Sequence, residues 1–213
     1  MTLLEKLNEF EENIKEKTTV EELQVIFKNL APAFLYGGYI QVRDEYKVYI
    51  RTVEFYFHSE KNGLHDPIVY HRNGKEMDNI PYFPTMTLHA HASGFDITFE
   101  SEKKEYRSSV LIRSYEVKDN DNNYITWDKD KKMFVKHKEY GFNKQSTYLY
   151  TLLNGFPLGS DNGIKWVDSP RKQKSVEGKP RQNVFHYDEN NGEYKKTQKR
   201  CERPWSFTRK DYV

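Results

Sequence analysis

The stretch Arg51-Thr52-Val53-Glu54-Phe55-Tyr56-Phe57-His58 alternates polar and apolar side chains and is rich in β-branched and aromatic residues. This composition favours a strand, in which successive side chains point to opposite faces. The two faces would then carry Glu54, Tyr56 and His58 against Val53, Phe55 and Phe57. A carboxylate beside an aromatic ring suits a general base next to a planar substrate. The same pattern also fits a half-exposed strand whose glutamate is solvated.

Length and composition indicate an ordinary globular protein. A chain of 213 residues fits one domain with a single core. No run approaches the roughly 18 apolar residues of a membrane helix. The first residues lack the basic and apolar segments of a signal peptide, and one cysteine, Cys201, cannot form an internal disulfide. We therefore expect a cytoplasmic protein that does not enter a membrane.

The modest net charge of +2 hides an asymmetry between the two ends of the chain. From residue 165 onward there are 13 Lys and Arg against seven Asp and Glu, a net charge of +6, so the preceding residues sum to −4. Basic residues interleaved with aromatics suit phosphates and bases. Seven of the 13 basic residues carry this interpretation together with Trp166 and Tyr194: Lys165, Arg171, Lys172, Lys174, Lys179, Arg181 and Lys195. A solvated basic surface loop is the competing interpretation.

The first thirty residues carry the signals of two helices. Apolar residues recur at the period of one helical face, at Leu3, Leu7, Phe10 and Ile14. Thr19 and Glu22 have the spacing of a capping box, which predicts a second helix from residue 20. Pro32 predicts the end of this helix, or a bend, near residue 30. Residues 33–57 then have a β-like pattern.

The remaining pattern is dominated by short strands. Predicted strands cover residues 39–43, 46–57, both sides of Gly94 in 85–100, 108–117, 124–127, 133–136, 164–167, 183–187 and 205–208, with a short helix in 145–153 and a turn or loop in 188–196. We predict one α+β domain over residues 1–213, with N-terminal helices packed on a curved, mainly antiparallel β-sheet with long loops. Residues 1–30 would form the helices, 31–117 the core sheet with the site, and 118–213 a polar, basic C-terminal part.

Two further groups of residues are candidates for a functional role. His89 and His91 would point the same way from a strand, and with His65 or His58 they could bind zinc. This spacing is common, and ordinary polar strand residues are the favoured interpretation. Arg113 lies inside the apolar strand 110–113, where an arginine needs a partner. That partner is either Glu54, across a water, or a carboxylate in a structural salt bridge.

The ordered pieces of the chain resemble the alkyladenine (3-methyladenine, methylpurine) DNA glycosylases. The matching segments are Thr52-Val53-Glu54-Phe55-Tyr56, His65 nine residues after Tyr56, Ala92-Ser93-Gly94-Phe95-Asp96-Ile97, Val110-Leu111-Ile112-Arg113-Ser114-Tyr115-Glu116, Leu30-Ala31-Pro32-Ala33-Phe34-Leu35 and Arg203-Pro204-Trp205-Ser206-Phe207. Each segment is short, and their order and spacing together carry the resemblance. It extends over roughly residues 28–213 and is loose after Val117.

The resemblance implies a base-excision repair enzyme without a metal or cofactor, with DNA as partner, and we expect it to be a monomer. Glu54 would activate water against C1′ of a flipped nucleotide that carries an alkylated or deaminated purine, and Arg113 would help hold that water. Tyr56 and His65 would flank the extruded base by stacking and hydrogen bonding. An alkylated, cationic base would also be attracted to electron-rich rings.

The chain departs from the family pattern at the positions that contact DNA and choose the base. Ser93 stands where the family inserts a tyrosine into the duplex. The second stacking tyrosine falls near His89 or Ala90, and an asparagine that screens purines falls at Glu100. An alternative function is therefore a binding module of the same fold. It would hold a base, a nucleotide, a single-stranded end or a protein partner without flipping bases out of duplex DNA.

Overall fold

The computed structural model is a mixed α+β protein with a curled antiparallel sheet and few helices. It describes residues 1–64, 66, 80–137, 139, 141–144, 146–153, 163–181, 185–188, 193–196 and 203–210. In this part of the chain no helix is both long enough and apolar enough to cross a bilayer. The α+β class with N-terminal helices and an antiparallel sheet is confirmed.

Two N-terminal helices begin at capping boxes, of which the Thr19–Glu22 box was predicted. Helix α1 covers Leu3–Asn13 and α2 covers Val20–Tyr36. In the second box the Thr19 hydroxyl accepts the Glu22 N–H, and the Glu22 carboxylate accepts the Thr19 N–H. Each box satisfies two backbone donors that have no partner within the helix, which explains why the starts were predictable.

The predicted end of the second helix near residue 30 is wrong, since α2 continues through Pro32 for four more residues. Proline removes one backbone donor and costs about 3 kcal/mol inside a helix. The extra turn buries Phe34, Leu35 and Tyr36 completely, at roughly 2 kcal/mol for each large apolar side chain. Burial therefore outweighs the proline penalty, and residues 33–36 are helical rather than β-like.

The main sheet is built from ten of the strands in the described residues. The strands are β1 Gly38–Val42, β2 Tyr46–His58, β3 Leu88–His91, β4 Gly94–Thr98, β5 Arg107–Asp119, β6 Tyr124–Asp128, β7 Met133–His137, β8 Ile164–Asp168, β9 Gly178–Lys179 and β12 Ser206–Thr208. Six strands follow one another in the order β3-β4-β5-β2-β1-β8. Of the others, β12 pairs with β2, β9 pairs with β12, and β6 of the β6–β7 hairpin pairs with β5. All pairs are antiparallel.

Strands β2 and β5 form the centre of the sheet, and their pairing is interrupted by two adjacent bulges. Thr52 pairs with Ser114 and Val53 with Ile112, so Arg113 is an extra residue on β5. One step earlier, Arg51 is the extra residue on β2. A bulge shifts the alternation of faces by one residue. The bulges therefore keep Ile50 and Val53 of β2, and Ile112 and Tyr115 of β5, on the apolar face although each pair is three residues apart.

The apolar face of the sheet packs against α1 and α2 through aromatic rings. Phe27 stacks on Phe55 with centroids 4.5 Å apart, and Trp205 meets Phe27 edge-on at 5.0 Å. Phe10 contacts Phe99 edge-on at 5.0 Å. These rings explain the high aromatic content of the chain and confirm the predicted core role of Phe55.

The C-terminal part is only partly as predicted. The short helix is a 3₁₀ turn, Ser146–Tyr148, followed by α3, Leu149–Leu153. Strand β10, Phe185–Asp188, agrees with the prediction, but residues 193–196 are strand β11, Glu193–Lys196, rather than loop. The sequence of β11 lacks the alternation of apolar residues that predicts a strand. Its backbone pairs with β10 in a separate two-stranded sheet.

Candidate active site on the polar face of the sheet

The face of β2 opposite to the helices carries a row of polar side chains that crosses the sheet. The register joins Glu54 of β2 to Leu111 of β5, Leu111 to Asp96 of β4, and Asp96 to His89 of β3. Neighbouring strands lie about 4.8 Å apart, so Glu54 and Asp96 are roughly 10 Å apart at the backbone. This face, called the polar face below, carries most of the predicted site residues.

Glu54 is buried and held from two sides. Its residue exposure is 3%, the Tyr56 hydroxyl donates to Oε2 at 3.1 Å, and Arg113 Nε lies 3.5 Å from Oε1. The solvated-glutamate interpretation is therefore wrong. Arg113 is paired with Glu54, and its side chain remains 31% exposed. Solvent thus reaches the pair from the Arg113 side.

Alternation along β5 explains how Arg113 reaches Glu54. Ile112 is buried in the core and pairs with Val53, so the next residue, Arg113, points to the polar face. The bulge at Arg113 allows Tyr115, three residues after Ile112, to return to the core. The sequence identified an arginine in need of a partner, and the geometry shows that this partner is Glu54.

Tyr56 contacts Glu54 through its hydroxyl rather than presenting its ring. Only 5% of Tyr56 is exposed, its ring packs with Leu111 and Phe83, and the Arg181 guanidinium lies 4.5 Å from the ring centroid. Burial, followed by the nearby Glu54 carboxylate, raises the pKa of Tyr56 well above its usual value. Tyr56 is therefore a protonated hydrogen-bond donor to Glu54, and its ring is not presented to a stacked base in this structure.

A second buried pair lies behind Tyr56. Arg181 Nη1 is 2.7 Å from Asp66 Oδ2 and donates to the Phe55 carbonyl at 3.0 Å. Asp66 also accepts the Phe57 N–H, while its own N–H donates to His58 Nδ1. Asp66 and Arg181, which lie far apart in the chain, are thereby both joined to β2 beside Tyr56. The predicted neighbour His65 lies outside the described residues.

The predicted base-binding residues on β3 and β4 are not all in one place. His89 shares the polar face and lies 4.6 Å from Phe83 between ring centroids. Ala90 pairs with Phe95 and, by alternation along β3, points to the opposite face, so it does not join His89. Ser93 lies in the turn between β3 and β4, with its N–H donating to His91 Nδ1.

Glu100 forms its own buried ion pair. Its Oε2 lies 3.1 Å from Arg107 Nη1 and accepts the Phe83 N–H at 2.7 Å. Arg107 stacks on Tyr82 at 4.2 Å and donates to the Pro81 carbonyl. Glu100 therefore fixes the segment that contains Phe83 to the sheet. Because Phe83 packs against Tyr56, this contact also fixes one side of the Tyr56 environment.

Of the two histidines of β3, His91 takes part in hydrogen bonds within the protein, and His89 makes ring contacts with Phe83 and His91. His91 Nε2 is 3.0 Å from Asp96 Oδ1, and the Ser109 hydroxyl donates to Asp96 Oδ2 at 2.7 Å. Among the described residues, no group of three or more His, Cys, Asp and Glu is arranged to hold a metal ion. The zinc hypothesis for His89 and His91 thus has no support in the part of the chain that the structure covers.

A further ion cluster lies on the polar face toward the other end of β2. Glu116 is 2.5 Å from Arg209 Nη2 and 3.6 Å from Arg51 Nη1. The Arg51 guanidinium lies 4.3 Å from the Phe142 ring centroid. This carboxylate is as deeply buried as Glu54 and is held by two arginines from different segments.

The basic C-terminal segment divides into exposed and buried residues. Lys165, Lys172, Lys174 and Lys179 are exposed. The expectation that Arg181 faces phosphates is wrong, because its side chain is buried in the pair with Asp66. Arg171 lies 4.5 Å from the Tyr49 ring centroid. The side chains of Lys195 and Tyr194 lie outside the described part.

Sequence reasoning did not assign Asp66, Arg181 and Phe83 to the surroundings of Tyr56. Arg181 is 115 positions from Asp66, and no pattern links them. Asp96 was also missed, although a carboxylate between Phe95 and Ile97 gives the same signal as Arg113 in its apolar strand. No protein-family model, curated protein or solved structure matches the chain. Functional inference therefore depends on the geometry around Glu54.

Proposed function

We propose that the protein is an N-glycosidic hydrolase with a fold of the methylpurine-DNA-glycosylase type. One observation carries the proposal: a buried glutamate, Glu54, accepts a phenol hydrogen bond and is paired with an arginine that solvent can reach. A carboxylate held in this way is suited to accept a proton from water. The substrate class is DNA that carries an alkylated or deaminated purine, and the reaction is the water-using first step of base-excision repair.

The reaction needs one water and no redox partner. Glu54 takes a proton from the water as the water oxygen forms a bond to C1′ of the nucleotide. The C1′–N bond breaks and its electron pair leaves with the base. Arg113 lies on the solvent side of Glu54 and orients the water. A purine alkylated at N3 or N7 carries a positive charge and leaves as a neutral molecule, whereas a deaminated purine leaves as an anion that takes up a proton from solvent water.

A second candidate is a binding module of the same fold, and two observations favour it. The Tyr56 ring is covered by Arg181, and a serine, Ser93, occupies the turn where the resemblance implies an inserted tyrosine. Both features depart from the handling of a flipped nucleotide that the resemblance implies: the covered ring does not stack on an extruded base, and a serine does not fill the gap left in the duplex. Such a module would bind a base, a nucleotide, a single-stranded end or a protein partner.

The test is release of free base from DNA oligonucleotides containing an alkylated or a deaminated purine, in single-stranded and duplex form. We expect release by the wild-type chain and a rate at least about 100-fold lower for Glu54→Gln, the usual size of a general-base contribution. Glutamine keeps the size of the side chain and an acceptor for Tyr56. Binding without release would support the module, and neither binding nor release would reject both candidates.

A further inference from the structure

Glu54 is supported by a continuous chain of contacts that begins far away in sequence. Asp66 pairs with Arg181, Arg181 covers the Tyr56 ring, and the Tyr56 hydroxyl donates to Glu54. The Arg181 guanidinium also lies over the Trp205 ring, 5.2 Å from its centroid. Side chains packed this tightly have little rotational freedom.

The two oxygens of the Glu54 carboxylate have different partners. Oε2 accepts the Tyr56 hydroxyl, while Oε1 faces Arg113. Arg113 is the partly exposed member of the group, whereas Glu54 and Tyr56 are buried. The oxygen on the solvent side is therefore Oε1, and the hydrogen bond at Oε2 sets the direction in which Oε1 points.

We propose that Tyr56 and Arg181 are positioning residues for Glu54, with Arg181 fixing the Tyr56 ring and Tyr56 fixing the carboxylate so that Oε1 is the proton acceptor. The inference rests on the proposed function and deepens it. It assigns Tyr56 a role through its hydroxyl instead of the base-stacking role that the resemblance implies.

Burial and the neighbouring carboxylates raise the pKa of Tyr56 and keep its phenol protonated, and the Arg181 guanidinium opposes them only in part. The charged groups near Tyr56 are Glu54 on its own strand, Arg181 after β9, Asp96 on β4 and Asp66. Arg113 on β5 faces Glu54. A hydrogen bond to the charged form of a carboxylate favours that form, so the Tyr56 hydroxyl stabilises ionised Glu54.

The experiment compares Tyr56→Phe with Tyr106→Phe in the full chain. Both variants lose one hydroxyl from a buried ring, but Tyr106 lies on the core side among Phe10 and Phe57. The readouts are the pH profile of single-turnover base release and the titration of the Glu54 carboxyl by ¹³C NMR, assigned with Glu54→Gln.

In Tyr56→Phe we expect the acidic limb of the profile and the Glu54 titration to move up together by about one to two pH units. Tyr106→Phe should leave both where they are in the wild type. An unchanged acidic limb and titration in Tyr56→Phe would overturn the proposal.

Arg181→Lys and Asp66→Asn test the outer part of the chain of contacts. Lysine keeps the charge but loses the planar, two-point contact with Asp66, and asparagine keeps the shape of Asp66 but not its charge. Both should shift the Glu54 titration in the same direction as Tyr56→Phe, by less. If both fold and neither shifts it, Arg181 has no positioning role. If the wild type releases no base, the proposed hydrolysis fails, while the NMR titrations still decide the positioning.

Discussion

The two faces of strand β2 use alternate residues of one segment for opposite purposes. On the helix side, Val53, Phe55 and Phe57 are fully buried among aromatic rings. On the polar face, Glu54 and Tyr56 are almost as deeply buried, yet they are joined by hydrogen bonds and ion pairs. Burial alone therefore does not separate core from candidate site in this protein. The chemistry of the contacts separates them.

The comparison also distinguishes two kinds of buried carboxylate on the polar face. Glu116 is held by Arg209 and Arg51, both with little exposure. Glu54 is held by a phenol and by an arginine that solvent reaches. We infer that Glu116 has a structural role, while Glu54 is the group available for reaction.

The largest expected effect is on the apolar face. Phe55→Ala removes a ring that contacts Phe27, Phe34 and Phe207 and leaves a cavity. We expect the free energy of unfolding to fall by about 4 kcal/mol, measured by urea denaturation. Phe142→Ala, at an exposed ring, should cost about 1 kcal/mol or less. Equal losses would mean that the aromatic cluster does not carry the stability of the fold.

Glu116→Gln should produce the next largest loss of stability, because it leaves the buried Arg209 without its carboxylate. The expected cost is about 3 kcal/mol. Glu54→Gln keeps an acceptor for Tyr56 and leaves the partly exposed Arg113 able to be hydrated, so we expect less than about 1 kcal/mol. Denaturation of both variants under the same conditions tests the distinction, and the reverse order would contradict it.

Alkaline pH should weaken the fold through tyrosines on both faces. Burial raises the pKa of Tyr56, and also of Tyr106 and Tyr115 on the apolar side, above the value of about 10 expected in the unfolded chain. The unfolded chain loses these protons first, so the stabilisation is complete below pH 10 and is lost as pH rises toward the folded-state pKa. Each such tyrosine contributes up to about 1.4 kcal/mol per pH unit. In Tyr56→Phe the free energy of unfolding should therefore fall less steeply between pH 10 and 11, by up to about 1.4 kcal/mol per pH unit. An unaltered slope would count against the raised pKa of Tyr56.

The smallest effect is expected at Asp119, the last residue of β5. The Lys136 ammonium and Asn123 lower the pKa of Asp119 to about 2. This contribution is present above the unfolded-state pKa of about 4 and is lost as pH falls toward 2. Lys136→Met should raise the Asp119 pKa toward its usual value in a carboxyl NMR titration. The stability of the two faces should hardly change.

The fold was largely predictable where local chemistry determines it. The period of Leu3, Leu7 and Phe10 and the Thr19–Glu22 box set the helices, and alternation placed Glu54 and Tyr56 on one face. Other features depend on packing between distant segments. They include the continuation of α2 past Pro32, the bulges at Arg51 and Arg113, and the pairing of Asp66 with Arg181. Only the three-dimensional structure shows that Glu100 forms an ion pair with Arg107 and that the Tyr56 hydroxyl donates a hydrogen bond to Glu54.

The most direct test of the central claim is the single-turnover rate of base release by Glu54→Gln against Glu116→Gln, at a temperature where both are folded. Both substitutions remove one buried carboxylate from the same face. We predict that Glu54→Gln is slower than the wild type by at least about 100-fold, while Glu116→Gln stays within a few-fold of it. Equal rates in the two variants, whether both high or both low, would contradict the assignment of Glu54 as the reactive group.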